Sequence, residues 1–166
     1  MHPNSYRMFK THALPYFKSD IDVLEIGPDR WDVDVGMSLR ELVKSSLCGY
    51  FCANLENDRH SYVRFFNEYE MDCDGHQFDI VFSANVVEHV RKPWLWFREL
   101  ARVTKPGGLV VSVSPVSWPY HSEPDCWRLY PEAYRALHEE AGLETVLALF
   151  ETDGGVTDTL AIGRKP

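Results

Sequence analysis

The 166-residue chain lacks the features that mark several common protein classes. No apolar run approaches the roughly 20 residues that a membrane-spanning helix requires, and the first residues contain no apolar core of the signal-peptide type. We therefore expect a cytoplasmic protein that has no membrane partner. Basic residues are also scarce: 17 Lys and Arg stand against 25 Asp and Glu, and the formal net charge is −8. This balance argues against nucleic acid as the main partner, because a phosphate backbone attracts positive charge.

Recognisable metal-binding patterns are missing as well. The four cysteines include no CxxC pair, and their spacing matches no zinc-binding pattern. The seven histidines are dispersed and form no HExxH arrangement. The sequence therefore predicts reduced thiols in or near the core and no metal site.

The apolar content of 45% and the aromatic content of 13% are those of a folded protein with a substantial core. The most informative stretch is residues 23–29, which read VLEIGPD. Branched apolar residues that end at glycine and proline predict a buried parallel strand followed by a loop. Gly27 has no side chain, so a ligand can approach the backbone there. In open α/β sheets, ligands bind at such strand ends.

The rest of the chain alternates between helical and extended patterns, which predicts one α/β domain over residues 1–166. Helices are predicted at 4–17 (within an N-terminal helical cover, 1–20), 38–46, 92–103 and 131–141. Strands are predicted at 21–26, 49–56, 78–84, 109–113, 144–150 and 156–164, with 61–66 as a candidate short third strand. Residues 153–155, Asp-Gly-Gly, join the last two strands as an antiparallel hairpin.

Four stretches carry a resemblance to a known family: 23–28, FDIVF at 78–82, NVVEHV at 85–90, and FRELARVTKPGG at 97–108. Their order and content resemble the class I S-adenosylmethionine-dependent methyltransferases, specifically the compact type 11 branch. The resemblance covers roughly residues 21–150. It implies a Rossmann-like, doubly wound, mostly parallel seven-stranded sheet with a final antiparallel strand, in which one strand is short or missing.

The resemblance also implies an activity. We expect methyl transfer from S-adenosylmethionine, with S-adenosylhomocysteine as product, to an O or N atom of a small-molecule acceptor. The cofactor brings the activated methyl group, so positioning is the main catalytic task left to the protein. Residues 121–128 resemble a stretch in relatives associated with sugar and polysaccharide modification, which makes a sugar or polysaccharide precursor a candidate acceptor. A homodimer that completes the acceptor pocket is a further expectation.

Cofactor-binding residues are carried over from the family position by position. They are Glu25, Gly27, Pro28 and Asp29 after the first strand, Asn54 or Glu56 beside the second, Asp72 at the adenine, and Asn85 and Val86 after the strand at 78–84. Family members usually offer the ribose hydroxyls a carboxylate. Asn54 occupies the matching position and can bond a hydroxyl only without charge assistance, so Glu56 is the alternative partner.

The segment between Asn54 and Asp79 departs from the family. It spans 79 − 54 = 25 residues, which is short for the helix and strand that the family places there. This departure motivates an alternative function, a methyltransferase-like binding or regulatory protein with weak catalysis. A nicotinamide-dependent oxidoreductase is disfavoured because the first loop lacks GxGxxG.

The loop at 115–130 is predicted to form the acceptor side of the site, together with the N-terminal helix. His121 in this loop is the first candidate for a general base and His89 the second, because histidine accepts protons near neutral pH; both could equally be structural. Candidate acceptor-binding residues are Trp118, Tyr120, Asp125 and Arg128. Arg128 could instead pair with Asp125 and hold the loop.

Overall fold

The computed structural model describes residues 3–28, 38–44, 49–55 and 61–166. The α-helices are α1 (Pro3–Met8), α2 (Leu39–Lys44), α3 (Pro93–Val103) and α4 (Pro131–Glu140). The strands are β1 (Asp22–Ile26), β2 (Gly49–Ala53), β3 (Arg64–Asn67), β4 (Glu70–Asp72), β5 (Phe78–Ala84), β6 (Thr104–Pro115), β7 (Glu144–Asp153) and β8 (Val156–Arg164). None of the described helices is long and apolar enough to cross a membrane.

The central sheet has the strand order β2-β1-β5-β6-β8-β7. Strands β2, β1, β5 and β6 run parallel, whereas β8 is antiparallel to both β6 and β7. The predicted doubly wound sheet with a final antiparallel strand is therefore confirmed. The hairpin between β7 and β8 turns at Gly154 and Gly155, where both residues have positive φ.

The sheet has six strands in the described residues, in line with the expectation that one of the family's seven strands is short or missing. The candidate short strand at 61–66 overlaps β3, which pairs antiparallel with β4 in a separate two-stranded sheet. A single parallel bridge, between Ala53 and Val63, connects this segment to β2. The described part of the chain between β2 and β5 therefore holds this hairpin beside the central sheet.

Two hydrophobic clusters cover the two faces of the sheet, because successive strand residues point to opposite faces. Leu24 and Ile26 belong to the cluster beneath α3 and α4, which also contains Phe97 and Tyr134. Val23 belongs to the other cluster, with residues of the N-terminal segment and α2. The N-terminal segment thus packs on the face of the sheet, where Phe9 contacts Phe17 and Phe82 at ring-centroid distances of 5.4 and 5.3 Å.

Two local features stand at helix ends. Ser38 caps α2, because its Oγ accepts a hydrogen bond from the Glu41 N–H at 3.3 Å. After α3 the chain passes directly into β6 instead of a loop, with Gly107 at φ 78°. Gly108 lies against β5, since a Cβ there would be 2.7 Å from the Asp79 carbonyl oxygen.

His138 is a fully buried ionisable residue on α4. Its Nδ1 lies 2.9 Å from the Thr145 hydroxyl. Close packing surrounds the ring, because a Cβ on Gly163 would be 3.1 Å from it. Burial lowers the pKa of His138 to about 4, since the charged ring would lose its solvation.

This burial predicts a pH-dependent stability. The unfolded chain binds a proton at His138 near pH 6.5 and the folded protein only near pH 4, so stability is full above pH 6.5 and falls towards pH 4. Between pH 8 and pH 5 the loss due to His138 is about 2 kcal/mol. Urea unfolding of the wild type and of His138→Gln at both pH values isolates this contribution, because other titrating groups cancel in the difference. An equal acid-induced loss in both proteins would contradict the assignment.

Candidate active site

A cleft of about 190 Å³ opens at the carboxyl ends of β1, β2 and β5. Its walls are mostly apolar. The lining residues are Ile26, Gly27, Asn54, Leu55, Phe65, Glu68, Val86, His89, Val90, Trp96 and Pro124. This is the edge of a parallel sheet at which ligands bind in doubly wound folds. The chain continues from β1 into residues 29–37 and from Leu55 into 56–60, which lie outside the described residues.

Gly27 allows two chain segments to meet at the cleft. It adopts φ 70°, and a Cβ on it would lie 2.6 Å from Val86 Cγ2. Its N–H donates to the Ala53 carbonyl oxygen at 2.9 Å, which joins the ends of β1 and β2. Asn85 also has a positive φ, 55°, and its N–H donates to the Val113 carbonyl oxygen at 2.9 Å. Backbone hydrogen bonds therefore hold the cleft edge, and the absence of a side chain at Gly27 lets its two segments pack closely.

Aromatic residues that the sequence did not single out form one wall of the cleft. Phe65 of β3 stacks on Trp96 of α3 with a centroid distance of 5.9 Å and an interplanar angle of 12°. Glu68, in the turn of the same hairpin, is the carboxylate among the described lining residues. In the sequence, Phe65 is visible only as an aromatic residue in a short extended stretch. Its position at the cleft depends on where the hairpin packs in the folded chain.

The predicted cofactor residues are distributed unevenly. Gly27, Asn54 and Val86 line the cleft. Glu25 is buried on the face of β1 opposite to Ile26, and Pro28 and Asn85 adjoin lining residues. Asp72 is not part of the cleft: it lines a separate depression with Arg64 and Asp74 and accepts a hydrogen bond from the Asp74 N–H. Asp29 and Glu56 lie outside the described residues.

The two histidine candidates are in contact. Their ring centroids are 4.9 Å apart, and His89 also lines the cleft. His89 Nδ1 lies 2.6 Å from the Pro124 carbonyl oxygen. His121 Nδ1 lies 3.3 Å from the Pro119 carbonyl oxygen and 3.2 Å from Asp125 Oδ2. These oxygens only accept, so each Nδ1 carries the hydrogen and each neutral ring has its lone pair on Nε2.

Arg128 holds the 115–130 loop by pairing with Asp125. The guanidinium donates to both Asp125 oxygens, at 2.5 and 2.8 Å, and also to the carbonyl oxygens of Trp118 and Pro119. This pairing holds the pKa of Asp125 well below its usual range. Of the predicted acceptor residues, Asp125 and Arg128 thus have a structural role in the loop, whereas Tyr120 is largely exposed and Trp118 partly so.

Glu88 is fully buried beside this pair of histidines. Burial raises the pKa of Glu88 to about 7, and the nearby Asn85 side chain and Arg128 charge offset only part of that effect. Its backbone carbonyl oxygen accepts hydrogen bonds from the N–H groups of Cys126 and Trp127. The turn after β5 therefore anchors the 115–130 loop.

Comparisons with known proteins agree with this geometry. Residues 41–112 match the type 11 family model, whose description is a methyltransferase domain. This match spans less than half of the chain, which is thereby similar over that region to the type 11 methyltransferases. One short segment of the chain is 64% identical over 33 residues to an uncharacterized methyltransferase of Mycobacterium tuberculosis. That segment is 20% of this chain and 13% of the relative's length.

Solved structures share the fold. A putative methyltransferase from Bacillus halodurans has a TM-score of 0.71 and 12% identity, over 99% of this chain and 100% of that one. Phosphoethanolamine N-methyltransferase 2 of Haemonchus contortus, in complex with S-adenosyl-L-methionine, has a TM-score of 0.68 and 14% identity, over 98% of this chain and 52% of that one. These similarities support the Rossmann-like methyltransferase fold.

The contact at Gly27 predicts a large loss of stability in Gly27→Ala. The positive φ is unfavourable for alanine and its Cβ would overlap Val86, so the free energy of unfolding should fall by about 3 kcal/mol. Gly142→Ala is the matched control, because Gly142 has φ 72° with open space around it, so only the backbone cost of about 1 kcal/mol applies. Urea unfolding measures both changes.

The double variant Gly27→Ala/Val86→Ala separates the two causes. Removing Val86 Cγ2 relieves the overlap. The double variant should therefore lose less free energy of unfolding than the two single variants lose together, by about 1 kcal/mol or more. Additive losses would show that the contact with Val86 does not limit Gly27.

Proposed function

We propose that this methyltransferase transfers a methyl group from S-adenosylmethionine to an oxygen or nitrogen atom of a small molecule, with sugars and polysaccharide precursors as the first class to test. The observation that carries the proposal is the cleft at the ends of β1, β2 and β5, where Gly27 brings bare backbone to the ligand side. Bound S-adenosylmethionine supplies a methyl group activated on a sulfonium.

The described residues fit such a cofactor in chemistry. Gly27 and Val86 would border its methionine end, and the Asn54 amide at the end of β2 would bond the ribose. Leu55 and Phe65 would pack on the adenine ring. The described walls enclose about 190 Å³, less than the roughly 300 Å³ of common ligand pockets, and residues 29–37 and 56–60 continue the chain from the same edge.

Glu68 is a second candidate ribose partner in addition to Asn54. It is the lining carboxylate in the described chain, and a carboxylate accepts hydroxyl hydrogen bonds with charge assistance. Glu68 would thus provide, from the β3–β4 hairpin, the negative charge that the Asn54 amide lacks.

The acceptor would sit beside His89 and His121. Each neutral ring has its Nε2 lone pair free of the oxygens that bind Nδ1, so either could take a proton from the acceptor. The exposed rings of Trp118 and Tyr120 offer flat apolar surfaces on which a sugar ring could stack. Arg128 would act indirectly, by keeping His121 and Asp125 in place.

Calorimetric titration with S-adenosylmethionine and S-adenosylhomocysteine tests the cofactor assignment. Micromolar binding of both is expected, and Glu68→Gln should weaken it about tenfold, because a charge-assisted hydrogen bond is lost. Glu70→Gln is the matched control, since Glu70 is an exposed carboxylate of the same hairpin outside the cleft. If neither compound binds, the cofactor assignment is overturned, and the alternative of a methyltransferase-like regulatory or binding protein is favoured.

Turnover of His121→Ala tests the acceptor side once an acceptor has been found among sugars. The variant should lose about 100-fold in kcat at saturating substrate and keep its affinity for S-adenosylmethionine. His76→Ala is the control, because His76 pairs with Asp22 at the other end of the sheet. Unchanged kcat in His121→Ala would remove His121 from the reaction.

A further inference from the structure

Glu88, His89 and His121 form a cluster with the composition of a metal site. One ligand atom from each lies within 4.8 Å of the others, and Glu88 Oε1 is 3.9 Å from His89 Nε2. The sequence predicted no metal site because two ligands lie in the turn after β5 and the third lies far along the chain in a loop. The folded chain brings the three together.

Glu88 is the least satisfied member of this cluster. Its side chain is fully buried, and neither carboxylate oxygen has a hydrogen-bond partner of ordinary geometry among the described residues. The nearby cation, Arg128, is already bound at both Asp125 oxygens. A buried carboxylate is unfavourable unless it holds a proton or pairs with a cation, so a cation in reach of both oxygens would stabilise the ionised form.

The two histidines are held in the way that metal-binding histidines are held. In metal sites the ring nitrogen that does not bind the metal usually donates to a carbonyl or carboxylate, which fixes the tautomer. His89 Nδ1 donates to the Pro124 carbonyl oxygen, and His121 Nδ1 faces the Pro119 carbonyl oxygen and Asp125. Arg128 in turn fixes Asp125, so the supporting contacts continue beyond the first partner.

We propose that Glu88, His89 and His121 bind a divalent transition-metal ion of the zinc type, leaving further coordination positions for a substrate oxygen. Two imidazoles and one carboxylate suit such borderline ions, and three protein ligands with an open position are typical of catalytic zinc. Metal–ligand distances of about 2.1 Å would draw the three ligand atoms closer than the 4.8 Å span. The exposed position of His121 allows that small movement.

This inference rests on the proposed function and narrows its acceptor to a hydroxyl compound. His89 lines the cleft, so an ion on its Nε2 would stand beside the methyl donor. A hydroxyl bound to the ion loses its proton to solvent more easily. The oxygen then forms the new bond to the methyl carbon while the carbon–sulfur bond breaks, and that electron pair stays on sulfur, which gives neutral S-adenosylhomocysteine. The two histidines are then ligands and not proton acceptors.

The test is calorimetric titration of chelator-treated, full-length protein with Zn²⁺ alone. One equivalent should bind, and both Glu88→Gln and His121→Gln should weaken binding at least tenfold. Two controls should bind as the wild type does: His76→Gln, a histidine outside the cluster, and Cys126→Ser, which removes the exposed thiol of the same loop. Circular dichroism confirms folding, and His121→Gln keeps the test decisive if Glu88→Gln fails to fold, because His121 is exposed.

Titration with Co²⁺ identifies the ligands independently. A cobalt spectrum of nitrogen and oxygen ligands without a thiolate charge-transfer band is expected. Lack of one-equivalent binding, unchanged binding in His121→Gln, or loss of binding in Cys126→Ser would overturn the proposal. S-adenosylmethionine binding is measured separately. Binding of the cofactor without binding of added metal would refute the metal site alone, and metal binding without cofactor binding would refute the proposed function.

Discussion

The close approach of Gly27 to Val86 is the constraint on which the rest of the site depends. Strands β1 and β5 are parallel neighbours with Ile26 opposite Ser83, so the chain leaves both strands at one edge. With no side chain at Gly27, the segment after β5 can close against the end of β1. The cleft and the turn that carries His89 are consequences of that contact.

The turn after β5 couples the cleft to the 115–130 loop. His89 donates to the Pro124 carbonyl oxygen, the Cys126 N–H donates to the Glu88 carbonyl oxygen at 2.7 Å, and Trp127 Nε1 donates to the Val90 carbonyl oxygen at 2.8 Å. A loop without regular secondary structure is thereby tied to a sheet edge. Its geometry is set by the same residues that border the cleft.

Two fully buried ionisable groups, His138 and Glu88, differ in their hydrogen-bond partners and in their neighbours. His138 is neutral in an apolar setting and has a hydroxyl partner, so it behaves as part of the core. Glu88 is equally buried, but its oxygens lack such a partner in the described chain and lie next to two imidazoles. The first group is uncharged at neutral pH, although its Nε2 is buried without a hydrogen-bond partner in the described chain. The second is stable only with a proton or a cation.

The sequence by itself determined the parallel sheet, the reversed last strand and the strand ends at Gly27 and Asn85. These follow from local rules: apolar runs form buried strands, Gly-Pro ends a strand, and Asp-Gly-Gly makes a hairpin. Tertiary structure alone decided that β3 and β4 form a separate hairpin, that Phe65 and Glu68 line the cleft while Asp72 lines a separate depression, and that Arg128 holds the loop. It also brought Glu88 and His121 together. Contacts between residues distant in the chain depend on how the elements pack, and no local pattern encodes that packing.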